Sequence, residues 1–255
     1  MSDNITFEVD GGVAVITIDR PEVRNAIDKP TAIEIGNALD EVDARDDVSI
    51  AVLTGTGSTF CAGMDLKAFG VTKERPLHPT RGGFGIVEKP AEKPMIAAIE
   101  GNALGGGLEI ALACDLIVAA ESSLLGLPEV KRGFVAAAGG VLRLPTRIPR
   151  TLALELVLTG ESLTSQRALT LGLINRVAPD GDSLTVALAL AHQIAANAPL
   201  ALRAAKRIIN ESVDWPTGEA FRRQEEFTGP VRSSNDAAEG ARAFVEKRPP
   251  VWTNS

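Results

Sequence analysis

The chain has 255 residues, of which 45% are hydrophobic, and its formal net charge at pH 7 is −7. This length and apolar content are sufficient for one main domain with a large core and an appendage. Because the charge balance is acidic and no basic stripe recurs, non-specific binding to nucleic acid or to an anionic membrane surface is not expected.

The two cysteines, Cys61 and Cys114, lie in apolar or small-residue runs and have no metal-ligand spacing. They predict buried free thiols in a reducing compartment, and no metal site. Residues 1–4 are polar, without the basic and apolar regions of a signal peptide, and no apolar run is long enough to span a membrane. We therefore expect a cytoplasmic protein.

The N-terminal third predicts alternating strands and helices. Residues 5–9 alternate between apolar and polar side chains, and a second apolar run at 13–18 follows two glycines, which predicts a β-hairpin. A helix is expected to begin near residues 28–31, with an apolar face formed by Ile35, Leu39 and Val42. Together with apolar strands at 50–54 and 95–99, this order predicts an α/β domain.

A small-residue segment follows the strand at 50–54. After the turn Gly55-Thr56-Gly57 comes Thr59-Phe60-Cys61-Ala62-Gly63-Met64-Asp65-Leu66, which leads into a predicted helix. A strand, a glycine turn and a small-residue helix entry can present a backbone N–H group to a ligand.

Three glycines, Gly105-Gly106-Gly107, separate the strand at 95–99 from a helical run at 110–114. Without Cβ atoms they let a ligand approach the backbone, and the helix points its free N–H groups and its positive dipole end at that ligand. Such a site favours a developing negative charge, as an oxyanion hole does. For the glycines taken alone, tight packing or a turn is the alternative explanation.

Two glutamates accompany this candidate oxyanion hole. Glu109 lies in the first turn of the helix, whereas Glu129 follows Pro128 beyond a second predicted strand at 116–119. One helix and one returning strand bring both carboxylates to the same end of the sheet. Two positioned carboxyl groups can divide the proton transfers on one water molecule. Either glutamate alone is also ordinary helix-start chemistry.

Residues 70–94 contain several prolines and glycines and predict a mobile loop with weak local structure. His78 lies in this loop. It is either a substrate contact or, in the interpretation that we prefer, an exposed loop histidine.

Strand patterns end near residue 184. Four helical runs follow, at 184–196, 200–211, 217–228 and 236–246, and Asp236 and Glu239 are spaced as a capping box. We expect that these helices have no sheet to cover, so they must pack on the core or on another chain. The sequence thus divides into a catalytic domain at 1–195 and a C-terminal helical region at 196–255.

The segments at 59–66, at Gly105 to Glu109 and at Pro128-Glu129 together resemble the crotonase (enoyl-CoA hydratase/isomerase) superfamily. The resemblance runs from residues 17–21 to residues 244–248. It implies an α/β fold that winds as a spiral of ββα turns, with a C-terminal helical region that builds a homotrimer, commonly stacked as a hexamer. It also implies an acyl-CoA thioester as substrate, with coenzyme A as part of that substrate and no further cofactor.

The resemblance assigns roles by position. It places the oxyanion donors on the backbone N–H groups of Met64 and Gly106, and the two carboxylates of a hydratase on Glu109 and Glu129. Glu129 would exchange a proton with the α-carbon, and Glu109 would activate the water that adds at the β-carbon, although each glutamate can do part of both. The residues that would border CoA are Arg24, Ala26, Ala62, Asp65, Leu66, Phe227 and Lys247.

For Phe227, beside the adenine, and for Lys247, on the CoA phosphates, the alternatives are a core ring and a surface lysine. The predicted function is enoyl-CoA hydration. The alternatives are an enoyl-CoA isomerase and a catalytically quiet acyl-CoA-binding or RNA-associated relative.

Three further segments, at 126–133, 139–145 and 248–252, resemble the carnitinyl-CoA (crotonobetainyl-CoA) dehydratase branch. One position departs from the hydratase pattern. Many hydratases have Pro-Gly where this chain has Ala136-Ala137, in a loop that helps to hold the catalytic water. Alanine excludes glycine-only backbone angles, so hydration is expected to be slower than the glutamate pair alone suggests.

Overall fold

A computed structural model describes residues 4–255, so the first three of the four residues from which we expected no signal peptide lie outside it. The strands are β1 (Ile5–Asp10), β2 (Val13–Ile18), β3 (Ile50–Gly55), β4 (Leu77–His78), β5 (Gly82–Gly83), β6 (Met95–Ile99), β7 (Ala103–Leu104), β8 (Leu116–Ala120), β9 (Leu124–Gly126), β10 (Ser162–Thr164) and β11 (Arg176–Ala178). The α-helices are α1 (Lys29–Ala44), α2 (Leu66–Thr72), α3 (Gly106–Ala113), α4 (Gly140–Arg147), α5 (Arg150–Thr159), α6 (Ser165–Thr170), α7 (Ser183–Ala195), α8 (Pro199–Glu211), α9 (Ala220–Arg232) and α10 (Asn235–Glu246). Short 3-10 helices lie at Pro21–Val23, Pro128–Arg132 and Ser212–Asp214.

A six-stranded sheet forms the centre of the molecule, in the order β1-β2-β3-β6-β8-β11. Strands β1 and β2 pair antiparallel, which confirms the predicted hairpin, and every later pair in this sheet is parallel. Helix α1 buries Ile35, Leu39 and Val42 against this sheet, as the periodicity predicted. Asp28 caps α1, because its carboxylate accepts a hydrogen bond from the Thr31 N–H.

A second, three-stranded sheet has the order β10-β9-β7. Strands β6 and β8 of the large sheet each continue into a strand of the small sheet, β7 and β9, before the next helical segment. An isolated bridge between Cys61 and Ala103 extends this pattern to the preceding turn of the chain. The repeated passage from the large sheet to the small sheet to a helix is the spiral of ββα turns that the resemblance implied.

The C-terminal helices differ from the prediction in one respect. Helix α7 covers a face of the large sheet, where Ala187 and Ala191 pack on Val52 and Ile96, so the expectation that these helices have no sheet to cover is wrong for α7. Periodicity identified the apolar face of the helix, but it does not identify the surface that this face meets. Helices α8, α9 and α10 follow as successive neighbours.

The predicted capping box at Asp236 and Glu239 is also wrong. The N-cap of α10 is Ser234, whose hydroxyl accepts a hydrogen bond from the Ala237 N–H. Asp236 and Glu239 instead bind the C-terminal segment: Asp236 accepts the Thr253 N–H, and Glu239 accepts the Val251 N–H. Both carboxylates hold the end of the chain against α10.

The segment at 70–94 is more ordered than its composition predicts, since it contains the end of α2 and the short β4–β5 pair. His78 is buried, which corrects the expectation of an exposed histidine. Its ring fills the space that Gly36 leaves open on α1, and its Nδ1 accepts the Arg81 N–H. Arg81 is buried too, and its guanidinium pairs with Asp40 and Asp43 of α1.

Both cysteines are buried free thiols, as predicted, and burial raises the pKa of each to about 12. Within residues 4–255, no single helix is long and apolar enough to cross a membrane. Among the described residues, one pair of helical segments, α7 and Pro199–Asp214, reaches the length and apolar composition of a membrane span when the two are taken together, but the pair is bent by 107°.

Candidate active site

The candidate site lies where four neighbouring strands of the large sheet end. Strands β2, β3, β6 and β8 are parallel to one another, so the segments that follow them emerge at the same edge of the sheet. These segments carry Arg24 and Ala26, Ala62 to Leu66, Gly105 to Glu109, and Glu129. Parallel pairing is therefore what brings together residues that lie about a hundred positions apart in the sequence.

The two backbone segments of the candidate oxyanion hole are in direct contact. A Cβ atom at Gly63 would lie 2.9 Å from the Gly106 nitrogen, so only glycine permits this approach, and Gly63 has φ +85°. Ile27 donates to the Gly63 carbonyl at 2.8 Å and accepts from the Asp65 N–H at 2.9 Å. In an extended segment alternate N–H groups point to opposite sides, so the Met64 N–H points away from Ile27.

Gly106 begins α3, and its N–H has no acceptor one turn earlier. Within residues 4–255, no hydrogen bond uses the N–H of Met64 or of Gly106. The structure thus leaves two N–H donors unused on two segments that contact each other, and the Gly106 donor lies at the positive end of the α3 dipole.

The Phe84 ring also packs against Gly106. A Cβ atom at Gly106 would lie 2.6 Å from the Phe84 Cζ atom, so any side chain there would displace the ring. Phe84 is buried and has φ +54°, which is uncommon for an aromatic residue. Sequence analysis missed this residue, because the contact joins an irregular loop to α3.

Glu109 is only 3% exposed, yet it has no ion-pair partner among the described residues. Its Oε1 accepts hydrogen bonds from the Ala138 N–H at 2.7 Å and the Gly140 N–H at 2.9 Å. Burial raises the pKa of Glu109, the Glu129 charge raises it further, and the two N–H groups oppose that rise. Sequence analysis missed these two donors, although the glycine pair at 139–140 was a signal for a turn there.

Glu129 lies in the 3-10 helix Pro128–Arg132 and is partly buried. Its Oε1 faces Gly105, since a Cβ atom there would be 3.2 Å from that oxygen. Its Oε2 is enclosed and has no hydrogen-bond partner within the described chain. Burial raises the pKa of Glu129, whereas a backbone hydrogen bond and the charge of Arg132 oppose that rise.

The loop at Ala136-Ala137 does not show the restriction that we expected from its sequence. Ala137 is exposed and its φ is not positive, whereas Gly133 and Gly139 supply the positive φ angles of this loop. The N–H groups that hold Glu109 come from Ala138 and Gly140. Alanine at 137 therefore prevents no backbone conformation that this loop adopts.

Five of the residues predicted to border CoA lie on two adjoining segments. The Ala62 N–H donates to the Arg24 carbonyl at 3.1 Å, and Arg24, Ala62 and Leu66 are exposed. Ala26 is buried. Asp65 is buried as well, and its carboxylate caps α2 and pairs with Arg20 at 3.2 Å.

The other two predicted CoA residues lie in the C-terminal helices. Phe227 stacks on Trp215, which directly follows the 3-10 helix Ser212–Asp214, with ring centroids 5.9 Å apart, and the Arg207 guanidinium lies 4.7 Å from the Phe227 ring centre. Lys247 directly follows α10 and is exposed, with φ +55°.

Comparison with known proteins identifies the family of the chain. The sequence model described as enoyl-CoA hydratase/isomerase matches residues 8–255. The chain belongs to this family. Its fold is that of the family, since the crystal structure of enoyl-CoA hydratase EchA1 from Mycobacterium marinum aligns with a TM-score of 0.96 at 49% identity, covering 99% of each chain.

Family members with two different names resemble the chain at similar identity. Enoyl-CoA hydratase EchA19 of Mycobacterium tuberculosis is 41% identical over 252 residues, which cover 96% of this chain and 94% of that protein. Carnitinyl-CoA dehydratase of Shigella flexneri is 41% identical over 261 residues, covering 99% of both. A crystal structure of carnitinyl-CoA hydratase from Mycobacterium avium is 47% identical over the whole of both chains, with a TM-score of 0.80.

Proposed function

We propose that this family member is an enoyl-CoA hydratase, a hydro-lyase that adds water reversibly to the 2,3 double bond of an acyl-CoA thioester. The observation that carries the proposal is the pair of carboxyl groups, that of the buried Glu109 and that of the partly buried Glu129, near two unused N–H donors. The names of the relatives support the same reaction class.

The thioester oxygen accepts hydrogen bonds from the N–H groups of Met64 and Gly106. As hydroxide adds at the β-carbon, the electron pair of the double bond moves toward the thioester, and negative charge develops on that oxygen. Removal of one donor from such a hole typically slows an acyl-transfer enzyme by about 10² to 10³-fold. Both donors belong to the backbone, so the Met64 side chain has no part in this step.

The two carboxyl groups have different tasks because their surroundings differ. Glu109 keeps two N–H donors, which favour its carboxylate form, so it accepts the proton of the attacking water. Glu129 has an enclosed oxygen without a donor, which favours its protonated form, so it delivers a proton to the α-carbon. One water is added in total, and the proton on Glu109 returns to Glu129 before the next turnover.

For CoA we propose a binding surface formed by the exposed residues Arg24, Ala62 and Leu66, with Ala26 and Asp65 shaping it from beneath. Phe227 and Lys247 would complete it at the adenine and at the phosphates. We propose that coenzyme A, as part of the substrate, is the only cofactor.

We also propose a homotrimer or a hexamer built by residues 196–255. The support is the apolar surface of the C-terminal helices, where Phe221 and Phe244 are each 86% exposed. Light scattering on the full-length chain tests this, and a stable monomer would overturn it. The cytoplasm is the proposed compartment, in keeping with two buried free thiols, and we propose neither nucleic acid nor a membrane as a partner.

A second candidate is carnitinyl-CoA dehydration, the reverse reaction on a trimethylammonium-bearing substrate. It is favoured by the names of two relatives that cover the whole chain. If turnover needs only one of the two glutamates, the alternative is an enoyl-CoA isomerase. If it needs neither, the alternative is a catalytically quiet acyl-CoA-binding relative.

The deciding experiment assays a panel of short, long, branched and trimethylammonium-bearing 2-enoyl-CoA thioesters. Hydration of each is measured as the loss of its ultraviolet absorbance. Matching 3-enoyl-CoA thioesters test isomerisation in the same assay. Turnover of any 2-enoyl substrate to its 3-hydroxy product supports hydration, and the preferred substrate separates the two candidates. Turnover of 3-enoyl substrates alone would overturn the proposal.

A further inference from the structure

Arg143 of α4 has an unusual environment for an arginine. Its side chain is partly buried, and among residues 4–255 no carboxylate lies within ion-pair distance of it. Burial lowers the pKa of its guanidinium group. A partly buried charge without a partner costs stability, so the contacts that Arg143 does make need an explanation.

One set of contacts is with the loop that holds Glu109. The backbone N–H of Arg143 makes the ordinary first-turn bond of α4 to the Gly139 carbonyl at 2.8 Å. The side-chain contact is that of Nη1, which occupies the space beside Gly139, where a Cβ atom would be 2.2 Å away. Gly139 has φ +96°. Its two neighbours, Ala138 and Gly140, are the residues that donate to Glu109.

The other contact is with the loop that carries Phe84. The Arg143 Nη2 donates to the Val87 carbonyl, and the Val87 side chain packs against Gly83. Phe84, whose ring packs against Gly106, lies between Gly83 and Val87 in the sequence. The guanidinium group therefore touches both loops that border the reacting atoms.

We propose that Arg143 is a positioning residue that fixes the loop at 83–87 relative to the loop at 138–140, and so aligns the oxyanion hole with the water-activating carboxylate. This inference rests on the proposed hydratase function. Among the described residues Arg143 makes no hydrogen bond or ion pair with Glu109, and it acts through Val87 and Gly139.

The charge of Arg143 has a second consequence. The groups that act on Glu109 are the Glu129 charge, which raises its pKa, and the Arg143 charge, which lowers it. Arg143 is in turn influenced by Arg147, Cys114 and Glu109. Removal of the guanidinium group therefore raises the pKa of Glu109, and the acid limb of the rate profile moves to higher pH because the carboxylate is the active form.

The experiment compares Arg143→Met and Arg143→Lys with the wild type in the enoyl-CoA assay across pH. We expect Arg143→Met to lower kcat by about 10 to 100-fold, since small misplacements in a site have effects of that size, and to move the acid limb upward. Arg143→Lys keeps the charge, so its acid limb stays near the wild-type position while kcat recovers only in part. The inference is overturned if the acid limb of Arg143→Met stays at the wild-type position. It is also overturned if Arg143→Lys and Arg143→Met have the same acid limb.

Arg147→Met is the matched control, because it removes an equal charge one turn along the same helix. Arg147 donates to the Cys114 and Asp115 carbonyls, so its loss is expected to lower Tm and to leave the acid limb in place. A carboxyl ¹³C titration, with the Glu109 signal assigned through Glu109→Gln, follows the same pKa without turnover. An Arg143→Met protein with an unshifted Glu109 signal refutes the inference even if the wild type proves inactive, and inactivity of the wild type refutes only the proposed function.

Discussion

Glu109 and Glu239 are both buried, at 3% and 7% exposure, yet the protein uses them in opposite ways. Glu239 is surrounded by donors: Arg242, Arg248 and the Val251 N–H all bind it, and its pKa is held well below the ordinary value by these hydrogen bonds. Glu109 has two N–H donors on one oxygen and no ion-pair partner among the described residues, and its pKa is raised by burial.

The number of donors explains the difference. A carboxylate that is fully satisfied stabilises the fold and has no capacity left for chemistry. A carboxylate that is buried but under-satisfied destabilises the fold and keeps an oxygen free to move a proton, which is a frequent property of active sites. The same residue type thus holds the C-terminal segment against α10 at Glu239, and at the sheet edge it has the surroundings of a reactive group.

The largest effect is expected when either Glu109 or Glu129 is replaced. Glu109→Gln and Glu129→Gln should each lower hydratase kcat by about 10² to 10⁴-fold, because each loses one positioned proton transfer. Binding of a CoA ester should change little, since an amide oxygen can still accept the N–H groups of Ala138 and Gly140. Steady-state kinetics and calorimetric binding measure the two quantities. Near-normal turnover in both variants would exclude the two-carboxylate mechanism.

The next effect concerns the donors rather than the carboxylates. Gly106→Ala should lower kcat by about 10² to 10³-fold, because the new Cβ atom meets the Phe84 ring and shifts the N–H that binds the thioester oxygen. Gly70→Ala is the matched control: it lies in α2, with no heavy atom within 4 Å of the added Cβ. It should leave kcat unchanged and raise the free energy of unfolding by about 0.5–1 kcal/mol. Equal activity of both alanine variants would argue against the oxyanion role of Gly106.

A third prediction concerns Glu239, whose replacement should change stability and not rate. Glu239→Gln should lower Tm near neutral pH without a change in kcat, because Arg242 and Arg248 lose their acceptor. The lowered pKa of Glu239 means that its contribution is complete above the unfolded-state pKa of about 4.3 and is lost as the pH falls toward the folded-state value. The Tm difference between wild type and variant should therefore shrink below about pH 4. A difference that stays constant down to low pH would contradict this account.

Because the pKa values of Glu109 and Glu129 are raised, their replacement should change Tm in the opposite direction. Their ionisation opposes folding, so Glu109→Gln and Glu129→Gln should raise Tm at neutral pH, and this gain should vanish once the wild-type groups are protonated at acid pH. Scanning calorimetry of the same variants across pH measures it. A lower Tm at neutral pH would mean that these carboxylates are satisfied after all.

The parts of this comparison differ in how far the sequence predicts them. The glycines at the start of α3 and the spacing between Glu109 and Glu129 were sufficient to predict donors and carboxylates at one sheet edge, because strand and helix lengths fix where the chain returns. The surroundings of each carboxylate were not predictable. The donors to Glu109 come from a loop 29 and 31 residues away.

The errors have the same origin. Asp236 and Glu239 have the spacing of a capping box, but the sequence does not show that the C-terminal segment folds back onto them. His78 lies in a loop rich in proline and glycine, and only the missing side chain of Gly36 makes room for it in the interior. Local patterns predicted elements, and contacts between distant elements decided what their polar groups do.

The smallest expected effect tests the loop beside Glu109. Ala137 is exposed, has no positive φ, and gives no N–H to Glu109, so Ala137→Gly should leave both kcat and KM close to the wild-type values. Gly139→Ala, two residues away, should be far more damaging, because Gly139 has φ +96° and its added Cβ would meet the Arg143 guanidinium at 2.2 Å. Steady-state kinetics of the two variants with the best enoyl-CoA substrate separates the positions. A clear rise in kcat for Ala137→Gly would show that the water is held by the backbone at 137 itself, and that the two N–H donors to Glu109 do not account for its placement.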